Sequence, residues 1–377
     1  MALRLFLVMA LAWAWVAFRV VRHLPCGTGL RVAIALGLLA IAHYHQIVGR
    51  LTGSIGSPEL PQWLLVLVGC IYGSFLLLAL LALARDAAGV LIYLASRDLG
   101  RVVLFSGGSA VATTAVAFAL GLYGTWQGMQ VPDIKTVVVT VPGLPPAFDG
   151  YRVIQLSDLH AHRLLPGPWQ ERVVNRVNRR QADLVVITGD LEDGSPQARA
   201  ADVAPLARLR ARDGVLAIPG NHEYYADYGA WMAAFRALGL HMLINEHVLI
   251  THNDQHIAVT GLTDNQARAF GKPLPDVRAA LAGIPEGTPI ILLQHKPGSA
   301  HENARAGATL QLSGHTHGGQ IWGLSLLTRR ANNGFLAGLY QVGPMQLYVS
   351  RGTGLWNGLI IRVGAPSEIT ENVLHPG

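Results

Sequence analysis

The sequence predicts an α/β domain, with central mixed sheets flanked by helices, preceded by an N-terminal bundle of membrane-spanning helices. Three observations predict it. Charged residues make up only 14% of the 377, against roughly a quarter in an ordinary soluble domain. The deficit is uneven: residues 1–130 contain eight arginines, no lysine and three acids, whereas residues 131–377 contain 21 bases and 20 acids. From residue 152 onward, short β-rich apolar runs alternate with polar stretches of helical period, the pattern of strands covered by helices.

The positive excess therefore lies among apolar segments, which excludes a nucleic-acid-binding face. Cys26 and Cys70 both fall in the apolar part, so residues 131–377 can form neither a disulfide nor a thiolate metal site.

A bilayer core of ~30 Å needs ~20 mainly apolar helical residues, and the stretches 3–21, 30–48, 62–84 and 102–124 meet or approach this. The last two lie in uncharged runs of 25 residues (60–84) and 31 residues (102–132). Within the first stretch Arg4 precedes an apolar run suited to a signal peptide, but no small-x-small cleavage site follows, so the stretch reads as a retained helix. His43 and His45 read as interfacial polar groups. Gly107, Gly108, Ser109 and Ala112 permit close helix approach. Residues 87–95 are too short to span and read as an extension of the third helix, and no charge is expected deep within the bundle. The expected domains are 1–126 (transmembrane, about four helices), 127–150 (linker and first strand) and 151–377 (catalytic). The Pro/Gly cluster at 142–146 offers a boundary, and a fragment from Val131 is expected to fold without lipid.

Strands are expected at 136–141, 152–156, 184–188, 215–219, 256–260, 290–294 and 309–312, with helices at 169–180, 197–210, 228–238, 275–282 and 299–306. A strand-rich tail follows at 338–342, 346–350, 359–363 and 368–373. Polar clusters stand directly after several strands: Ser157-Asp158-Leu159-His160, Gly189-Asp190, Gly220-Asn221-His222-Glu223, Gln294-His295-Lys296 and Gly314-His315-Thr316-His317-Gly318-Gly319. Carboxyl ends of strands in an α/β sheet open onto one crevice, so these distant clusters converge. Two Asp, one Asn and four His give oxygen and imidazole donors without thiolate, which suits Mn, Fe or Zn, and they are too many for one tetrahedral ion. The glycines before Asp190, Asn221 and His315 suit tight exits and close backbone approach.

The ordered pattern D-x-H, G-D, G-N-H-E, H, G-H-x-H resembles the calcineurin-like metallophosphoesterase family, over about residues 132–375. Ser350-Arg351-Gly352-Thr353-Gly354 and Leu312 to Gln320 are similar to its membrane-anchored bacterial branch. The resemblance implies a four-layer-type sandwich and two divalent metal ions. Asp158, His160 and His317 would hold one ion, Asn221, His295 and His315 the other, and Asp190 would bridge them. A hydroxide between the ions would attack a phosphoester. His222 would donate a proton to the leaving group or stabilise its developing charge, and Glu223 would fix its tautomer. His162 reads as a loop residue or phosphate contact. Glu192 and Asp193 read either as supports behind Asp190 or, more commonly for such acids, as solvated turn residues, and His241, His247, His252 and His256 as surface or strand residues. Arg351 is open between phosphate-binding and structural roles, and Trp356-Asn357-Gly358 departs from the branch's Trp-Gly-Pro turn.

The implied substrate is a lipid or cell-envelope phosphoester. The alternatives are a cytoplasmic UDP-2,3-diacylglucosamine pyrophosphatase and a non-enzymatic membrane sensor or transporter. Arginine-rich loops (Arg19, Arg22 and Arg31; Arg85, Arg97 and Arg101) predict two cytoplasmic connections. With four helices, both ends of the bundle and the catalytic domain then lie outside the cytoplasm, in a plasma (inner) membrane protein.

Overall fold

The computed structural model describes residues 2–54 and 56–377, with side chains from residue 5 onward, so the side chain of Arg4 lies outside the described residues. The chain forms two compact units, Met1–Gly128 together with Gly358–Val363, and Met129–Asn357 together with Gly364–Gly377.

The first unit is helical: α1 (Ala2–Arg19), α2 (Thr28–Ala42), α3 (Tyr44–Thr52), α4 (Gln62–Ala95), α5 (Arg97–Phe105) and α6 (Gly107–Gly128). Among the described residues three helices are long and apolar enough to cross a membrane, and α2 with α3, bent by 59°, makes up to a fourth. At 1.5 Å per residue the 34 residues of α4 run about 51 Å, well beyond a bilayer core. Its last turns, 87–95, are the expected extension, and Gly89 and Gly100 let α5 fold back on them, beside Leu104 and Tyr93 respectively. The fourth expected stretch breaks at Ser106, so α6 begins at Gly107.

Side-chain contacts fix the directions. Phe6 stacks on His43 and Trp13 donates to the Ala35 carbonyl, so α1 and α2 are antiparallel. Met9 meets Tyr72 and Arg19 meets Asp86 at 2.6 Å, so α1 and α4 are parallel. Gly121 lies against Ser74 and Gly107 against the His23 carbonyl, so α6 runs back. The start of α1 and the end of α6 thus share one end of the bundle. At the other end Asp86 pairs with Arg19 and with Arg85 at 2.7 Å. This buried charged group lies about 36 Å from the start of α4, at the limit of the bilayer core rather than deep within it.

The segment 359–363 is not the expected strand. Its apolar side chains pack among helices instead: a Cβ on Gly69 would fall 2.6 Å from Ile360, one on Gly73 2.9 Å from Ile361, and one on Gly124 2.5 Å from Ile361. His45 Nε2 donates to the Gly358 carbonyl at 2.6 Å, and Thr125 donates to that of Ile360 at 3.1 Å. His45 is thus a buried anchor for this segment, not an interfacial group. A fragment starting at Val131 would carry Ile360 and Ile361 without their helical groove. We expect Gly124→Val to cost about 1–3 kcal/mol through overpacking. Thermal melting of the full chain in detergent measures this, and an unchanged midpoint would argue against the groove.

The second unit has two six-stranded sheets. Its strands are β1 (Ile134–Val141), β2 (Tyr151–Leu156), β3 (Leu184–Thr188), β4 (Val215–Ile218), β5 (His241–Met242), β6 (Glu246–His252), β7 (Gln255–Gly261), β8 (Ile290–Leu293), β9 (Leu310–Ser313), β10 (Gly338–Val342), β11 (Met345–Val349) and β12 (Ile369–Pro376). One sheet has the order β1-β12-β2-β3-β4-β5 and the other β10-β11-β9-β8-β7-β6. The centres, β2-β3-β4 and β7-β8-β9, are parallel. Val153, Leu184, Val186 and Ile218 of the first sheet join Val259, Ile291, Leu293 and Leu312 of the second in one buried core. Helices α7 (Gly167–Asn178), α8 (Pro196–Val203), α9 (Tyr228–Ala237), α10 (Val277–Leu281), α11 (Ala300–Arg305) and α12 (Ser325–Ala331) complete this unit. Central strands buried on both faces explain the unbroken apolar runs.

Candidate functional site

All five polar clusters stand at carboxyl ends of the parallel strands. Asp158, Asp190, His295 and His315 each follow the last residue of their strand by two positions, and Asn221 follows β4 by three. The sheets are stitched together here: Gln155 donates to the Ser313 carbonyl at 2.9 Å and His295 Nδ1 to that of Thr188 at 2.7 Å. Two glycines are dictated by contact. A Cβ on Gly220 would lie 2.2 Å from Asp190 Oδ1, and one on Gly314 1.9 Å from Ser157 Oγ.

Asp158, His160, Asp190, His315 and His317 all have φ between 43° and 71°. Left-handed backbone at non-glycine residues costs about 1 kcal/mol or more each. Five such residues among the seven expected metal-binding positions mark a site whose side-chain directions override local preference.

Three groups bring acidic and histidine donor atoms close enough to hold a cation: Asp158, His160 and His317; Asp190, His295 and His315; and His160, Asp193 and His222. His160 Nε2 and His317 Nε2 face one another at 3.2 Å, with Asp158 Oδ1 3.3 Å from His317 Nε2. Asp190 Oδ1 accepts the His222 backbone N–H at 2.8 Å, while its Oδ2 lies 3.1, 3.8 and 3.9 Å from Nε2 of His295, His160 and His222. Asn221 Oδ1 is buried without a hydrogen-bond partner, a cost that a cation would remove. The donor set therefore fits divalent metal.

Charge agrees with geometry. Burial alone would raise the Asp190 carboxyl, but His295 and His222 reverse this and hold it well below the usual range. Burial opposes a proton on His295, yet Asp190 lifts it to about 10. His222 is lifted to about 9 against burial by Asp190 and Asp193. Burial and the charge of His295 push His315 well below its ordinary value. The cluster calls for positive charge beside Asp190.

Several neighbours differ from expectation. Asp193 is buried, not a solvated turn acid, and its Oδ1 accepts Nδ1–H from both His160 (3.1 Å) and His222 (2.5 Å). This leaves Nε2 of each ring for the site. Glu223 does not orient His222. Its carboxylate accepts backbone N–H groups of Leu191 (2.6 Å), Gly220 (2.6 Å) and Asp190 (3.2 Å), bracing the two loops. Burial and Asp190 push Glu223 up to about 7. Glu192 is likewise buried, and burial with the Glu223 charge pushes it well above its ordinary value. His162 is neither solvated nor a phosphate contact: Nδ1 accepts from Leu164 N–H at 3.0 Å and Nε2 donates to the Leu355 carbonyl at 2.8 Å. His241, His247, His252 and His256 lie on β5, β6 and β7, as expected. Arg351 lies beside Gly318. Tyr225 and Trp356 flank His222, with ring centroids 5.1 and 6.3 Å away. Nothing in the spacing marked those aromatic rings, while the acids directly after Asp190 were the available signal for Asp193.

Acidic and histidine groups able to hold a cation, on loops at the strand ends of two packed mixed sheets, fit a metal-dependent phosphoesterase. The chain belongs to the calcineurin-like phosphoesterase family: that family's model matches residues 151–319, and the relatives extend beyond this segment. It is 31% identical over 373 residues to a zebrafish (Danio rerio) transmembrane protein with metallophosphoesterase domain, covering 88% of this chain and 85% of that one. A cattle (Bos taurus) protein of the same description is 36% identical, over 74% of this chain and 65% of its own. An uncharacterized metallophosphoesterase of Helicobacter pylori is 36% identical, over 67% of this chain and 66% of its own. Two of these relatives are described as transmembrane proteins, and this chain has helices long and apolar enough to cross a membrane.

Proposed function

We propose that the protein is a membrane-anchored phosphohydrolase using two divalent cations, one on Asp158, His160 and His317, the other on Asn221, His295 and His315, with Asp190 shared. The observation that carries this is Asp190 Oδ2, which His160 of one group and His295 of the other approach at 3.8 and 3.1 Å, with His222 beside them at 3.9 Å. Bound there, divalent cations supply Lewis acidity toward water and phosphoryl oxygens. His222, its Nδ1–H fixed by Asp193, presents Nε2 to the site and gives its proton to the leaving oxygen. Asp193 also sets the His160 tautomer, and Glu223 holds the Gly189 to Leu191 and Gly220 backbones in place. The substrate is a lipid or cell-envelope phosphoester, a reading supported by the spanning helices. Purified full-length protein should contain two equivalents of Mn, Fe or Zn and hydrolyse bis(nitrophenyl) phosphate. Folded protein that binds two cations but cleaves no phosphomonoester, diester or pyrophosphate would sink the assignment.

Orientation follows from arginine placement. Arg19, Arg22, Arg31 and Arg85 gather at the bundle end opposite the start of α1 and the end of α6, with Arg97 and Arg101 on α5 beyond it. Basic residues favour the cytoplasmic face, so the catalytic unit lies outside the cytoplasm of a plasma or inner membrane. Alkaline phosphatase fused after Gly377 should be active and a green fluorescent reporter dark. The reverse pattern would place the unit inside and favour the UDP-2,3-diacylglucosamine reading.

A further inference from the structure

The metal-site loop ending at Gly319 runs straight into an apolar surface. Trp322 is 82% exposed, Leu326 70% and Leu327 67%, on one short stretch that includes α12. A tryptophan and two leucines so uncovered are not the scattered single apolar residues of an ordinary surface. Arg329 and Arg330 are exposed on the same helix. The charge pattern extends further: residues 303–367 contain no Asp or Glu at all, but five arginines. Tryptophan and leucine beside arginine, with no acid near in sequence, is the composition of an interfacial helix on anionic lipid.

Chain continuity points the same way. Ile321 bridges to Gly364, and a Cβ on Gly364 would lie 3.1 Å from Trp322 Cβ. Gly364 is bonded to Val363, the last residue of the segment held against Gly124, near the carboxyl end of α6. Trp126, 59% exposed in the last turn of α6, is placed as aromatic residues are at a membrane–water boundary.

We infer that residues 321–330 are a second membrane contact. Trp322, Leu326 and Leu327 enter the headgroup boundary, Arg329 and Arg330 pair with lipid phosphates, and the site takes its phosphoester from the bilayer surface. The substrate part of this inference rests on the proposed function; the lipid contact does not.

Both parts are tested in full-length protein reconstituted in phosphatidylcholine–phosphatidylglycerol nanodiscs. With Cys26 and Cys70 replaced by Ser and Ala, Trp322→Cys, Leu327→Cys and Glu286→Cys each receive an environment-sensitive fluorophore. Glu286 is exposed in the loop before β8, at the strand end away from His295. Probes at 322 and 327 should shift to the blue and be quenched by spin-labelled lipid, while the probe at 286 stays aqueous. Absence of lipid quenching at 322 and 327 overturns the contact, whether the probes sit in water or are shielded by a protein partner or a second copy. Separately, Trp322→Glu/Leu327→Glu should hydrolyse bis(nitrophenyl) phosphate at the wild-type rate and lose roughly tenfold or more on a dialkylglycerol nitrophenyl phosphodiester in the discs. Equal rates on both substrates would overturn surface delivery. A wild-type protein inactive on both compounds would defeat the proposed function while leaving the quenching result to stand.

Discussion

Replacing Asp190 by Asn is expected to strip the protein of most of its metal and, with it, of activity. The wild-type carboxylate is buried, one oxygen is committed to the His222 backbone N–H, and the other faces three histidine rings. Asn can keep the first contact but brings no charge to the second. Breaking a buried charged interaction by removing one partner costs about 3–5 kcal/mol, or roughly 10²-fold to several thousand-fold in affinity. Because the oxygen lies between two groups of donors, occupancy of both should fall together. His317→Ala, which touches only the group with Asp158 and His160, should instead lower metal content toward one equivalent. Elemental analysis of purified, folded protein reads the difference directly. Two retained equivalents in Asp190→Asn would show that Asp190 is not shared.

The site was legible in the sequence because its chemistry is written in short local strings. Gly189-Asp190, Gly220-Asn221-His222 and Gly314-His315-Thr316-His317 each follow an apolar run, and a run buried on both faces cannot hide a change to polar residues. Convergence followed from parallel strands sharing one carboxyl edge. What was not legible depends on distance. Asp193 and Glu223 are similar acids, two or three residues behind a proposed metal-binding residue, yet one receives ring N–H groups and the other backbone N–H groups. The difference lies in loop curvature, which no spacing encodes. Leu359 to Val363 shows the other limit: its β-branched apolar sequence is that of a strand, but the glycines of α4 and α6 supply a groove that gives it a different partner. The two-residue β5 and the edge strand β6 were missed for a related reason, since exposed edge positions such as His241 and Glu246 carry no clear period.

His222 and Asp193 make the sharpest separation of roles. His222→Asn should lower turnover by roughly 10²- to 10⁴-fold, the usual contribution of general acid catalysis, while metal content stays near normal. Its ring enters only the group with His160 and Asp193 and neither of the two proposed cation sites. The loss should be large for an alkyl leaving group, which needs a proton, and small for nitrophenolate, which leaves without one. Asp193→Asn should behave differently. One oxygen, Oδ1, accepts Nδ1–H from both His222 and His160, so replacing it with an amide unsettles the proton donor and a proposed metal-binding ring at once. Loss of such a supporting carboxylate typically costs 10- to 100-fold in metal affinity or activity. The expected pattern is therefore partial metal depletion together with reduced turnover, with added metal restoring occupancy but not the full rate on alkyl esters. If His222→Asn slowed good and poor leaving groups equally, His222 would be stabilising charge and not delivering a proton. If Asp193→Asn regained the full rate on alkyl esters once metal was supplied, its bond to His160 alone would account for its importance.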